Sequence, residues 1–430
     1  MKLRVDKPVY GGDALAHVAE DTGREGKAVF VPLVLPSEMV SARLVEEKRN
    51  FAKAEVEQVL AASVHRVEAK CAYFGVCGGC SYQHADYLAQ LAMKRQILSE
   101  TLARAGVTWP GEIETLAAEP WGYRNRIRLA VTEEGKVGYR ERRSHAIVPV
   151  HECPIAAPLL VDTALAAAVF LRAGAGPAVT EMELFTNGDE SELLLTLICD
   201  REFVDDVHDW LARLHTVLPD AVTGIRLQLA NGALMPRIVA SVGAADSLTY
   251  KVAGFGYQVD HGAFFQVNRW LADAFVARVL DGVSEGKLAW DLFAGVGLFA
   301  RQLSTRFERV MAVESAPASQ EALKQNLIGT TGRAVAAITL EFLRRNREER
   351  EPRADLVVLD PPRAGLGDEV CTLLNAVYSP EMVYVSCDPA TLARDLRALT
   401  SERYRIERVT LADMFPQTFH LETIVWLRRV

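Results

Sequence analysis

Four apolar runs in the last third of the chain stop abruptly, each at a different chemical group, and few folds accommodate that pattern. Leu288-Ala289-Trp290-Asp291-Leu292 leads into Phe293-Ala294-Gly295-Val296-Gly297. Val310-Met311-Ala312-Val313 ends at Glu314, Leu356-Val357-Val358-Leu359 delivers Asp360-Pro361-Pro362-Arg363, and Met382-Val383-Tyr384-Val385 stops at Ser386-Cys387-Asp388-Pro389. Such runs read as strands of an open α/β sheet, so the groups that follow them collect at the carboxyl edge, where these sheets bind ligands. A reversed pair through residues 404–411 and 421–427 closes the sequence and brings Glu422 to a strand end or turn of the same sheet.

A lone Gly-x-Gly is weak evidence of anything. Here it follows a strand and precedes a helix, and the next strand ends in an acid, Glu314, 23 residues after Asp291. That is nucleotide-cofactor geometry, in which glycines permit close backbone approach and the acid bonds ribose hydroxyls. Phe299-Ala300 fills the place of the third glycine of a dinucleotide loop, so the segment reads as the S-adenosylmethionine version of the fold. At the fourth strand end, Asp388 and Pro389 read as the N-cap and first residue of a helix. The field of that helix favours a thiolate at Cys387, and the Asp388 carboxylate opposes it.

Taken alone, a strand-end cysteine is more often an inert buried thiol than a nucleophile. Convergence with Asp360 and Glu422 changes the balance, although the outermost two are 62 residues apart in sequence. Uracil C5 is a poor nucleophile towards a methyl sulfonium. A thiolate that adds at C6 places enolate charge on C5 and O4, and a carboxylate must later remove the C5 proton so that the thiol can leave. Cys387 suits the first task and Glu422 the second, with Asp360 placed to orient the base.

Residues 1–60 run in short β-type segments, Ala28–Pro32 and Val40–Val45 among them, divided by Gly11-Gly12, Gly23, Gly26 and Pro36. The spacing suggests a small barrel. From Gly11 through Pro36-Ser37-Glu38 to Lys53 it resembles the TRAM domain, an OB-like RNA-binding module, with Ser37 at a usual glycine; a generic five-stranded barrel is the plainer alternative. Cys71, Cys77 and Cys80, with Cys153 as a fourth ligand, suit an iron-sulfur cluster or structural zinc. The three-plus-one arrangement leans towards [4Fe-4S]. Residues 85–105 have helical periodicity ending at Gly106, and this helix is expected to pack on another domain. Arg124, Arg126, Arg128, Arg140, Arg142 and Arg143 fall within twenty residues. On strands the first three share a face, a ladder of phosphate donors in one reading and a solvated face in the other. Helices at 158–172 and about 203–217 alternate with strands such as 192–198 in an α+β domain, and Gln266 and Asn268 mark the entry to the last domain. The expected domains are 1–60, 61–255 and 256–430.

At 430 residues and 50% hydrophobic content the chain can bury several cores. The longest apolar stretch, Ile155 to Leu171, is interrupted by Pro158, Asp162 and Thr163, so a soluble, cytoplasmic protein without a membrane partner is expected. Seven cysteines, three of them crowded together, suit a cluster or metal better than disulfides. The formal charge is −8, but residues 1–150 carry +2 and the remaining 280 carry −10, so a basic RNA-facing surface would be local.

The four cysteines, Gln266, Asp291–Gly297, Asp360-Pro361-Pro362-Arg363, Ser386-Cys387-Asp388-Pro389 and His420-Leu421-Glu422 together resemble the RNA uracil-5-methyltransferases over nearly the whole chain. The 23S rRNA branch, with a TRAM domain and an iron-sulfur cluster, is the most similar. The resemblance implies Cys387 as nucleophile, Glu422 as base, and Gln266, Phe293, Gly295, Glu314 and Asp360 at the cofactor S-adenosyl-L-methionine. It also suggests that helix 85–105 docks on the catalytic domain. The x5 spacing and the fourth Cys make a [4Fe-4S] cluster on Cys71, Cys77, Cys80 and Cys153 look closed and structural, the reacting atom inside a stacked base calls for a flipped-out uridine, and a monomer is expected. Asp388 and Leu298 stand where the family usually has Asn, and Ile338-Thr339 stand near the place of a cofactor-binding acid. Altered adenine-side contacts are expected. The alternatives are a tRNA T-loop uridine methyltransferase and a non-catalytic RNA-binding protein with a degenerate methyltransferase domain.

Overall fold

The computed structural model describes residues 1–18, 27–173, 176–201, 206–230, 237–349, 352–401 and 403–430. Gly23, Gly26 and residues 203–205 of the helix expected at 203–217 lie outside the described residues.

Strands Lys2–Pro8, Asp13–Val18, Ala28–Pro32, Met39–Glu47 and Phe51–Ala61 close into a barrel, the first pairing with both the second and the fourth. Alternation with period two sends Leu3, Val5, Ala16, Val29, Val31, Val40, Ala42 and Ala54 inward, and the alanines keep the narrow interior filled without crowding. Beneath it the buried Glu38 carboxylate accepts from Leu35 N at 2.8 Å and from Arg66 Nε at 2.5 Å, which ties the barrel to the segment that follows.

A seven-stranded sheet forms the middle of the protein, in spatial order Arg237–Gly243, Val222–Leu229, Leu193–Cys199, Val179–Thr186, Arg126–Val131, Val137–Arg140, Ile147–Pro149. Helices Pro158–Arg172 and Val207–His215 pack on it, and Leu160, Ala164, Trp210, Leu211 and Leu214 share one core with the strands. The C-terminal sheet has eight strands. Gly332–Ala336, Phe307–Glu314, Gly286–Leu292, Leu356–Leu359 and Glu381–Ser386 run parallel, and Glu422–Arg429 inserts antiparallel beside the last, followed by Tyr404–Ala412.

Two pieces of the expected middle domain join or pack against this last sheet. Glu114–Leu116 pairs with Tyr404–Ala412 as its outermost strand. The hairpin of Ser247–Val252 and Phe255–Asp260 spans the expected boundary at 255/256 and buries Leu248, Tyr250, Tyr257 and Val259 in the C-terminal core. An edge strand and an apolar hairpin both need a partner surface, and for the edge strand that surface is distant in sequence.

Helix Tyr87–Arg104 starts at Asp86, whose carboxylate accepts from Ala89 N at 2.8 Å, and it packs against helix Pro389–Thr400. Its buried stripe, Met93, Ile97, Leu98 and Leu102, repeats at helical spacing, and each such side chain contributes about 1.5–3 kcal/mol when removed from water. Two polar members share that face, Gln90 and Lys94, and Lys94 is fully buried. Its ammonium donates to Asp413 Oδ1 at 2.6 Å and to Phe415 O at 2.9 Å, while Tyr87 Oη donates to Asp413 Oδ2 at 2.9 Å. Desolvation of such a pair about cancels its attraction. Attachment of the helix is therefore apolar, and the ion pair selects the register in which it docks. No helix among the described residues is long and apolar enough to cross a membrane.

Lys94→Met should lower the stability to denaturant by about 3–5 kcal/mol, because Asp413 would remain buried without its cation, whereas Lys94→Met with Asp413→Leu should regain most of the loss. Equal losses in the single and double variants would refute this account.

Candidate active site

The turn after strand Gly286–Leu292 is held from three sides. Phe293 takes a left-handed φ of 66°, a conformation rare outside glycine. Gly297 has φ of 90°, and a Cβ there would meet Leu323 Cδ1 at 2.8 Å, so only glycine lets helix Leu298–Leu303 begin so close to its neighbour. Asp291, fully buried, accepts from Ala300 N at 2.8 Å. Burial, with Asp360 and Glu314 nearby, pushes its carboxyl up to about 8. Glu314 accepts from Gly295 N at 2.8 Å and Ala316 N at 2.5 Å, which locks the acid across the mouth of the turn.

One cavity of about 600 Å³ joins this turn to the other strand ends. Gln266, Phe293, Gly295, Glu314, Asp360, Cys387 and Glu422 all line it, together with Phe264, Leu298, Arg363, Phe415 and His420. Cys387 follows strand Glu381–Ser386, and Asp388 caps the next helix, accepting from Ala390 N at 2.9 Å and Thr391 N at 3.0 Å. Glu422 opens the last strand and is buried. Burial drives its carboxyl well above the usual range, the neighbouring Asp360 carboxylate adds to the effect, and burial raises Asp360 as well. The thiol of Cys387 is pushed up to about 12, first by burial and then by Glu422 and Asp360; Arg363 works in the opposite direction. His420 Nδ1 lies 3.2 Å from Arg363 Nη2, and burial with the cations Arg363, Arg124 and Lys94 lowers its imidazole to about 4, so it is neutral and accepts.

The segment 413–421, which joins the two antiparallel strands and delivers His420 and Glu422, is gripped by every part of the molecule. Besides Lys94 and Tyr87, Tyr123 Oη donates to Pro416 O at 3.0 Å and Asn268 Nδ2 to Met414 O at 3.3 Å. Gln90 and Gln417 exchange two hydrogen bonds of 3.0 Å. The carbonyl of Gln417 accepts from Ser81 N at 2.9 Å and Tyr82 N at 3.0 Å, so the cysteine-bearing loop is fastened to the loop that precedes Glu422. From the barrel, Tyr10 stacks edge-on against Phe419 at 5.6 Å and donates to the carbonyl of Cys387 at 3.5 Å. No motif singles out Tyr10, since it stands 377 residues from Cys387 in the chain.

Cys71, Cys77, Cys80 and Cys153 line a second cavity of about 230 Å³. Burial pushes the first two thiols up and takes Cys80 to about 12, and the proximity of Cys153 raises all three. Among the described residues, no three His, Cys, Asp or Glu groups are close enough to hold one metal ion. Arg124 lines the same cavity with a buried Nε that has no partner. A guanidinium whose Nε has no partner among the described residues, beside four half-buried thiols, could donate to an anionic thiolate-ligated group there.

The six arginines do not form one outward ladder. Arg126 is 15% exposed, lies 3.6 Å from Glu183 and covers the Phe185 ring at 4.1 Å. Arg128 and Arg140 both reach Glu181, and Arg143 makes two 2.8 Å bonds to Asp13 of the barrel. Arg142 is half-buried, with its Nε unpartnered. Carboxylates on the adjacent strand Val179–Thr186 neutralise the row, and their position opposite it could not be read from the spacing of the arginines.

Residues 86–430 match the family model described as tRNA (Uracil-5-)-methyltransferase. An uncharacterized RNA methyltransferase of Aquifex aeolicus is 33% identical over 435 residues, covering 99% of this chain and 98% of the relative. The 23S rRNA (uracil(1939)-C(5))-methyltransferase RlmD of Halomonas elongata is 33% identical over 434 residues, covering 96% and 88%. The crystal structure of Pyrococcus abyssi tRNA (uracil-54, C5)-methyltransferase in complex with S-adenosyl-L-homocysteine superposes with a TM-score of 0.76 at 24% identity, over 99% of this chain and 100% of that one. At that identity the likeness is one of fold, and it takes in the barrel and both sheets.

A thiol pushed up to about 12 is uncharged at pH 8. Alkylation of Cys387 by iodoacetamide, followed by peptide mass spectrometry, should therefore run at least about tenfold slower at pH 8 than that of a free thiol and should still be rising at pH 10. Glu422→Gln should accelerate it by removing a nearby negative charge. A plateau below pH 8 would contradict the electrostatics described.

Proposed function

The chain belongs to the RNA uracil-5-methyltransferase family, and from that premise we propose that it methylates C5 of a uridine in 23S rRNA through a covalent adduct between Cys387 Sγ and C6. The observation that carries this reading is the meeting of Cys387, Glu422 and Asp360 in one cavity with Gln266, Phe293, Gly295 and Glu314. S-adenosylmethionine supplies the methyl group. Gln266, Phe293, Gly295, Glu314 and Asp360 hold it, with Glu314 fixed by two backbone amides at the turn where ribose hydroxyls are usually taken. Leu298 makes the adenosyl side of this wall apolar where the family usually places Asn.

Cys387 adds to C6, and Arg363 is the cation available to favour its thiolate. The electron pair placed on C5 by that addition takes the methyl group, leaving S-adenosylhomocysteine; Glu422 then removes the C5 proton, and the C5–H electron pair re-forms C5=C6 and expels Cys387 as its thiolate. Burial and Asp360 raise the proton affinity of Glu422, which makes its carboxylate, once ionised, a stronger acceptor for that proton. Access to C6 requires the uridine to leave its stack and enter the cavity. For the flanking RNA, Arg128, Arg140 and Arg143 keep about half of their side-chain surface exposed, at 58%, 53% and 45%. We further propose that Cys71, Cys77, Cys80 and Cys153 ligate a [4Fe-4S] cluster; four thiols around one cavity, with an Arg124 Nε that has no partner among the described residues, support it. Methyl transfer needs no electron, so its contribution is to hold the Cys80–Tyr82 loop against Gln417.

Methyl transfer from labelled S-adenosylmethionine to unmodified 23S rRNA should yield 5-methyluridine and vanish in Cys387→Ala. Label in tRNA instead would keep the mechanism and overturn the substrate, and label in neither would leave an RNA-binding protein. Glu422→Gln should accumulate a protein–RNA adduct on denaturing gels. Protein purified anaerobically should be brown and hold about four iron atoms; zinc instead would exclude the cluster.

A further inference from the structure

Segment Phe264–Val267 forms one wall of the catalytic cavity, and the chain that continues from it exposes a large aromatic ring in a fixed pose. Trp270 is 45% exposed, although the Arg269 guanidinium covers its ring at 4.1 Å. Its Nε1 donates to Trp121 O at 2.9 Å. Arg269 is itself immobilised, donating to Gly122 O at 2.7 Å and to Glu190 at 2.5 Å. Beside this pair Lys70, exposed, sits 5.0 Å above the Trp121 ring. On the cavity side, Phe264 is 60% exposed at the mouth. Trp270 is three residues beyond Val267, so its backbone is within about 11 Å of the cavity wall however the chain runs.

An indole ring with a cation on one face, hydrogen-bonded at its edge and open to solvent elsewhere, is a platform for another flat π system. Its hydrophobic surface is costly to display. We infer that Trp270, backed by Arg269 and flanked by Lys70, stacks an unpaired base of the RNA strand beside the target uridine. This rests on the reading that the cavity accepts a uridine from RNA. A flipped nucleotide leaves its neighbours unstacked, and an aromatic ring a few nucleotides away recovers that stacking energy without reading sequence, while Lys70 meets the phosphate.

The test uses the full chain and a fluorescein-labelled fragment of unmodified 23S rRNA that accepts methyl label from the wild type. Trp270→Ala should weaken RNA binding by about tenfold, the order of one lost base stack, with S-adenosylhomocysteine binding unchanged. Trp270→Phe should retain most of the affinity yet show a smaller quench of tryptophan fluorescence on RNA addition. Lys70→Gln should reduce the salt slope of binding by about one. Wild-type affinity in Trp270→Ala, or a full quench in Trp270→Phe, would overturn the inference while methylation by the wild type left the enzymatic reading standing. Should Trp270→Ala fail to bind S-adenosylhomocysteine, the quench in Trp270→Phe decides. A wild type that neither binds nor methylates RNA would overturn both.

Discussion

A single buried ammonium fixes the relation between the parts of this protein. Lys94 has no water and one carboxylate, Asp413, at 2.6 Å. Its helix could slide on apolar contacts alone at modest cost, but any displacement would strand two charges in a dry interior, where each costs several kcal/mol, roughly. Asp413 begins the segment that leads to Glu422. The docking of a helix from the first quarter of the chain and the position of a carboxylate near its end are thus one constraint. Gln90 of the same helix, the adjacent Ser81 and Tyr82 of the cysteine-bearing loop, Tyr123 and Asn268 add hydrogen bonds to the same segment.

The site held in this way is electrostatically at rest. Asp291, Asp360 and Glu422 are all raised by burial, and the thiol of Cys387 is raised by burial and by the carboxylates around it. An acid whose folded-state affinity for protons exceeds its unfolded value favours folding at low pH and loses that contribution as pH rises through the folded value. For Asp291 the window runs from the ordinary carboxylate range to about 8. Such a cost is the usual mark of a site assembled for chemistry.

The strand ends were legible because each apolar run terminates at a chemically distinct residue, and sheet topology does the rest: whatever ends a parallel strand comes to one edge. The Gly295–Gly297 turn, Glu314, Asp360 and Cys387 follow from that rule, and all border one cavity. Contacts that depend on a second surface were not legible. The alternation of Arg124, Arg126 and Arg128 is the same whether a strand faces solvent or a neighbouring strand bearing Glu181 and Glu183, and the structure chose the latter. Tyr10 and Trp270 carry no pattern at all; their positions follow from which loops meet, which is a property of the assembled fold.

The strand Glu114–Leu116, laid against Tyr404–Ala412 at the edge of the last sheet, has a consequence for how the protein is made. A ribosome delivers the first of these segments nearly three hundred residues before the second. A longer interval, 326 and 319 residues, separates Tyr87 and Lys94 from Asp413, whose side chain they both contact. While translation continues, an unpaired strand and a helix with a buried-type lysine wait without partners, and contacts of such long range form slowly. The final thirty or so residues therefore act as a clasp. Without them the strand Glu114–Leu116 lacks its partner and the helix Tyr87–Arg104 leaves part of its apolar face uncovered.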